Sequence, residues 1–107
     1  MSSTGVVTIY STVQDHQSAE TIAHTLVSER MVACANIVPG MTSIYRWEGK
    51  VETATEVVML FKTNHGNVDQ VIARLKALHP AQVPCIVVWP VDNGHAPYLR
   101  WVKDNAN

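Results

Sequence analysis

Two cysteines and a histidine, Cys34, Cys85 and His79, are the residues of this 107-residue chain best suited to hold a metal ion. Thiolate and imidazole donors favour Cu(I) or Zn(II), and a carboxylate such as Glu56 favours harder ions. The three match no local ligand spacing, so any site they form is assembled by the fold or between chains. Each also has a plainer reading. The cysteines lie far apart with no CxxC pair, which fits two buried reduced thiols rather than a disulfide framework. His79 precedes Pro80 and is placed to bond the last carbonyls of a helix. His16, His24, His65 and His95 read as surface or cap residues.

A second group is aromatic and charged: Tyr45, Trp47, Tyr98 and Trp101, with Glu56 and Lys62. One reading makes them the lining of an intersubunit cleft, apolar with few polar groups as small-ligand sites are. The other makes them interface packing. The two differ in whether Glu56 and Lys62 pair with each other or face an open pocket. No Ser-His-Asp pattern, nucleophile elbow, phosphate loop or zinc-hydrolase helix is present, so a binding protein is expected rather than an enzyme.

The elements that must position these residues follow from periodicity. Val6 to Val13, rich in β-branched residues, predicts a strand. Ala19, Ile22, Ala23, Leu26 and Val27 recur at helical spacing behind a cap at Asp15 or Ser18, and Glu29-Arg30 close the helix. Strand chemistry resumes at Met31 and runs to about Trp47, interrupted at Pro39-Gly40; Lys50 to Thr63 returns as its partner. A Pro-Gly pair in mid-strand predicts a bulge on an edge strand. Across a two-residue Glu48-Gly49 turn, paired residue numbers sum to 97, and one unpaired residue at the break lowers the sum to 96. Cys34 then lies opposite Lys62, whose ammonium favours the thiolate. In the plainer alternative Lys62 pairs with a carboxylate such as Glu56.

A second helix begins near Asn64 to Asn67, buries Val68, Val71, Ile72, Leu75 and Leu78, and stops at His79-Pro80. Ile86 to Val91 is the last strand, and Pro90 argues for an edge. Pro97 starts a short C-terminal helix with Tyr98, Trp101 and Val102 on one side. The order βαββαβ plus a terminal helix predicts an α+β, ferredoxin-like sandwich, a single domain over residues 1–107.

Hydrophobic residues make up 47% of the chain and charged ones only 16%, lean against the usual quarter. That deficit suggests extra buried surface at a subunit interface. A net charge of −1 argues against nucleic acid or anionic membrane as partners. An RNA-recognition module shares the element order, but the third strand lacks its basic-aromatic signature. No apolar run is long enough to span a bilayer. The opening residues lack the basic start and apolar core of a signal peptide, so a cytoplasmic protein is expected.

The hairpin carries the argument for assembly. At ~3.3 Å per residue the first strand spans roughly 26 Å and each hairpin arm roughly 46 Å. About 20 Å of ribbon, bearing Met41, Ile44, Tyr45, Trp47 and Val51, therefore projects past the sheet by the same rise. An exposed apolar ribbon with an unpaired edge is normally covered. The economical cover is an identical chain added at the edge, so homo-oligomerisation is expected; the alternative is a solvated arm without a partner.

The run Cys34-x-Asn36-Ile37-x-Pro39-Gly40-x-x-Ser43-x-Tyr45-x-Trp47-x-Gly49, continuing to Glu56 and Lys62-Thr63, resembles the CutA divalent-cation tolerance family. His79-Pro80-x-x-x-Pro84 and Tyr98-x-x-Trp101 fall where that family has similar elements. The resemblance implies a homotrimer of ferredoxin-like subunits, with hairpins and sheet edges pairing between neighbours. It also implies an association with tolerance of copper and other divalent metals, and no organic cofactor. Three positions depart from the pattern. Cys85 follows Pro84 where glutamate is usual, Ala81 replaces a usual tyrosine, and Tyr10-Ser11 stands where some members carry a first-strand cysteine. A site built from that cysteine and that glutamate is not expected here, which leaves Cys34, His79 and Cys85 as metal candidates. The expected function is a homotrimeric tolerance protein binding copper or another divalent metal. The alternative is a trimeric scaffold or signalling module that takes a small ligand or protein at its intersubunit cleft.

Overall fold

Alternating and helical stripes resolve into β1 (Val6–Val13), α1 (His16–Ser28), β2 (Cys34–Trp47), β3 (Lys50–Asn64), a 3-10 turn (His65–Asn67), α2 (Val68–Leu78), β4 (Ile86–Pro90) and α3 (Ala96–Asn105). These elements belong to a computed structural model that describes residues 3–107. The strands form one antiparallel sheet in the order β2-β3-β1-β4. That is the ferredoxin-like α+β arrangement expected from the element order. Both proline-bearing strands, β2 and β4, are edges, where a missing N–H leaves the inner ladders intact.

Strand alternation divides the sheet into two faces. Val7, Ile9 and Val13 of β1 pair across to Thr63, Phe61 and Val57 of β3. With Met59 they turn toward α1 and α2 and pack on Ile22, Leu26, Val71 and Leu75 as the main core. The intervening residues face the other way. On that side α3 covers only one end, where Val102 and Ala106 pack on Val6 and Ala33.

Local chemistry sets the helix ends. Asp15, rather than Ser18, is the N-cap of α1: its carboxylate accepts from the Ser18 N–H at 2.7 Å and the Ser18 hydroxyl at 2.9 Å. At the other end Arg30 takes a left-handed φ of 61°, and the N–H groups of Met31 and Val32 bond back to the Leu26 carbonyl. This helix-ending turn consumes residues 31–33, so β2 begins at Cys34 and not at Met31. The Arg30 carbonyl accepts from the Asn107 N–H at 2.8 Å, and its guanidinium donates to the Asp104 carbonyl. The turn thereby ties α3 to the sheet.

One buried polar atom stands out on the helix side of β1. The Ser11 hydroxyl is fully buried and has no hydrogen-bond partner among the described residues. A desolvated, unpaired hydroxyl costs free energy that an alanine methyl does not. Ser11→Ala is therefore expected to raise stability by about 1 kcal/mol in urea unfolding; a loss of that size would mean the hydroxyl has a partner in solution.

Candidate functional site: the open sheet face and its two ends

The Glu48-Gly49 turn, with both φ values positive at 49° and 80°, joins β2 and β3 in the register inferred from the sequence. Trp47 pairs with Lys50, Tyr45 with Glu52 and Met41 with Glu56; beyond the break, Val38 pairs with Val58 and Cys34 with Lys62. The irregularity falls between Val38 and Met41, with Gly40 at φ 79°. Two residues there oppose one, which bends the strand and steps the alternation by one position. Even-numbered Cys34, Asn36 and Val38 thus share the open face with odd-numbered Met41, Ser43, Tyr45 and Trp47. β1 stops pairing at Val57, so residues 50–56 pair with β2 alone, a two-stranded ribbon of roughly 20 Å at ~3.3 Å per residue.

At the hairpin end the ribbon faces the segment that joins α2 to β4 across a depression of about 660 Å³. Tyr10, Met41, Tyr45, Trp47 and Glu56 line one side, and His79 and Cys85 the other. The Tyr10 hydroxyl lies 3.5 Å from Met41 Sδ, and the Tyr10 ring stacks on Trp89 at 5.0 Å. Burial, then the charges of Cys85 and Glu56, push the Tyr10 phenol above its ordinary range, which keeps it a hydrogen-bond donor. Glu56 is not engaged by either ion pair among the described residues, His16–Glu20 and Glu29–Arg74, both on the helical side.

His79 contributes to the wall of this depression as a structural link. Its Nδ1 accepts from the Ala81 N–H at 3.0 Å, which makes Nε2 the donor to the Thr12 carbonyl at 2.6 Å. The helix-end position is as read from the sequence, but the carbonyl engaged belongs to β1 and not to α2. With Nε2–H donating to backbone and the Nδ1 lone pair accepting from it, no ring lone pair is left to face the depression.

The other end of the open face carries Cys34, Lys62, Tyr98 and Trp101. Lys62 is the ladder partner of Cys34, yet its ammonium donates to Asn36 Oδ1 at 2.7 Å. Cys34 Sγ instead shares a 3.5 Å hydrogen bond with the Tyr98 hydroxyl, and Tyr98 stacks on Trp101 at 5.8 Å. The bond to Cys34, then burial, pushes the Tyr98 phenol up to about 12. A phenol raised in the folded state contributes stability below its ordinary value, and that contribution is lost as pH rises through the folded value. Between pH 10 and about 12, wild type is therefore expected to lose more thermal stability than Tyr98→Phe; parallel profiles would show that the bond does not bias folding.

Within one subunit the sequence-derived residues thus fall into two groups. Glu56, Tyr45, Trp47, His79 and Cys85 meet at the hairpin end; Cys34, Lys62, Tyr98 and Trp101 meet under α3. Glu56 and Lys62 do not pair, being six residues apart along β3, roughly 20 Å. Among the described residues no three His, Cys, Asp or Glu side chains converge to hold an ion. Tyr10 and Met41 were not among the sequence-derived site residues, although counting alternation through the bulge puts Met41 beside Glu56. Between the two ends the open face exposes large apolar side chains: Val38, Val87 and Trp89 are 48%, 43% and 49% exposed. No helix among the described residues is long and apolar enough to cross a membrane.

Known proteins share this architecture and sequence. The divalent-cation tolerance protein CutA of Thermus thermophilus is 48% identical over 95 residues, covering 89% of this chain and 92% of the relative. The chloroplastic protein CutA 1 of Oryza sativa is 36% identical over 100 residues; the alignment takes in 94% of this chain but 56% of that longer protein. Among solved structures, CutA from Xylella fastidiosa superposes with a TM-score of 0.93 at 43% identity, covering 96% of this chain and 99% of the other. The periplasmic divalent cation tolerance protein CutA from Archaeoglobus fulgidus gives 0.91 at 35% identity, covering 95% and 99%. The profile of the CutA1 divalent ion tolerance protein matches residues 7–105, and the chain belongs to that family.

Proposed function

We propose that the protein is a homotrimeric, non-catalytic metal-binding protein that contributes to tolerance of copper or another divalent ion. Membership of a divalent-ion tolerance family is the observation that carries this reading. The open sheet face supports the assembly, because a patch carrying Val38, Val87 and Trp89 is larger than isolated surface hydrophobics and requires cover. A second copy supplies that cover and pairs the free edges of β2 and β4. In such a trimer the hairpin end of one subunit meets the α3 end of the next, which brings Tyr45, Trp47 and Glu56 together with Lys62, Tyr98 and Trp101. Both cysteines are free thiols, in keeping with a reducing, cytoplasmic setting.

Calorimetric titration of the full reduced chain with Cu(II) and Zn(II) tests the reading. Saturable binding, micromolar or tighter, is expected, weakened by substituting Cys34 or Cys85. Absence of binding to either ion would shift the function to the second reading, a trimeric scaffold or signalling module whose cleft takes a small ligand. The unpaired Glu56 facing an aromatic-lined depression is the observation that favours this second reading.

A further inference from the structure

The loop between β4 and α3 holds the chain's only Asn-Gly pair, Asn93-Gly94. Both residues are exposed and lie outside regular structure. The Gly94 N–H donates to Asn93 Oδ1 at 2.8 Å. One C=O length further on, the side-chain carbonyl carbon is therefore no more than about 4 Å from the Gly94 nitrogen. With no Cβ beside it, that nitrogen is sterically open to attack a neighbouring carbonyl. The other asparagines that precede a residue are placed differently. Asn36, Asn64, Asn67 and Asn105 are followed by Ile37, His65, Val68 and Ala106, all with side chains. Their amides are engaged by Lys62, by the Lys103 and Ala106 carbonyls, by the Thr63 hydroxyl and by the Trp101 carbonyl.

We propose that Asn93 is a site of spontaneous modification, converted through a five-membered succinimide to aspartate and isoaspartate. Hydroxide takes the Gly94 N–H proton, and the nitrogen bonds Asn93 Cγ. The Cγ–Nδ2 bond breaks, and the amide leaves as ammonia with a proton from water, which restores the hydroxide. Water then opens the ring. Attack at Cγ gives aspartate; attack at the Asn93 main-chain carbonyl carbon gives isoaspartate, in which the chain runs through the former side chain. One water is consumed, one ammonia is released and no electron is transferred. The product adds one negative charge to a formal net of −1. In the isoaspartyl form the main chain is one methylene longer just before α3, where Leu99 packs so closely that a Cβ on Gly94 would meet it at 3.3 Å. This chemistry needs neither a metal nor an assembly.

The test is to age the full reduced chain at body temperature in mildly alkaline buffer and map its peptides by mass spectrometry, with electron-transfer fragmentation to tell the two products apart. A gain of about 1 Da is expected at Asn93, with isoaspartate exceeding aspartate. Its rate should rise in proportion to hydroxide. It should exceed the rate at every other asparagine by about tenfold or more, equivalent to about 1.4 kcal/mol of barrier. Gly94→Ala should slow the reaction by a similar factor, and Asn93→Gln, which would have to close a six-membered ring, should remove it over the same period. A rate at Asn93 no greater than at Asn36 or Asn105, or an undiminished rate in folded Gly94→Ala, overturns the site. So does aspartate formed without isoaspartate, which would mean direct hydrolysis. If Gly94→Ala does not fold, Asn93→Gln decides: the same gain in its loop peptide at the wild-type rate overturns the site.

Discussion

Leu60→Asp is expected to dissociate the proposed homotrimer while leaving the subunit folded. Leu60 sits on β3 at the centre of the open face, with Tyr10 of β1 on one side and Asn36 of β2 on the other. It is half-buried in the isolated chain, so an aspartate there keeps its water as long as the chain is alone. In an assembly that covers this face the carboxylate becomes a buried, uncompensated charge, costing about 3–5 kcal/mol per subunit. At 1.4 kcal/mol per tenfold, that raises the dissociation constant by about a hundredfold or more. Sedimentation should report the loss of the oligomer, with the far-ultraviolet circular dichroism of the subunit unchanged. Val27→Asp is the control, because Val27 is 39% exposed on α1, on the opposite side of the sheet. Equal dissociation by both variants would point to general destabilisation instead of a specific interface.

Phe61→Ala, one residue further along the same strand, should have the opposite signature. Phe61 is fully buried, pairs with Ile9 and Ala35, and belongs to the core under α1 and α2. Truncation removes its transfer free energy and leaves a cavity that the paired strands cannot close. The expected cost is about 3–5 kcal/mol, against a total stability of about 5–15 kcal/mol for a domain. Urea unfolding should show the midpoint shift with little change in slope. A cost below about 1 kcal/mol would mean that the core around Phe61 repacks. Two adjacent residues thus separate folding from assembly, as the period-two alternation of a strand requires.

That alternation also explains how much of the molecule was legible in the sequence. The Cys34–Lys62 register followed from a two-residue turn plus one extra residue at Pro39-Gly40, and the edge positions of β2 and β4 followed from their prolines. These are local or arithmetical facts. The start of β2 was read three residues early, because nothing in the Glu29-Arg30-Met31 sequence announces a left-handed arginine. That conformation is held by the distant C-terminal residues.

The candidate site was legible as a set of residues but not as an arrangement. Parity puts Glu56 and Lys62 on one face, yet six positions of strand keep them apart, so the proposed cleft requires a neighbour. Lys62 was matched with its direct partner Cys34 or with a carboxylate; the amide of Asn36, two residues along β2, captures it instead. His79 was recognised as a helix-end residue, but its bond to Thr12 depends on tertiary contact with β1. Tyr10 read as one more strand residue until the bulge brought Met41 against it.

The central claim is that the open sheet face and the hairpin are covered by two further copies of the chain. Sedimentation equilibrium on the full reduced protein tests it most directly. The expected mass is three times the 11.8 kDa of one chain, unchanged by dilution through the micromolar range. A single-chain mass at those concentrations, with the fold intact, would contradict the account.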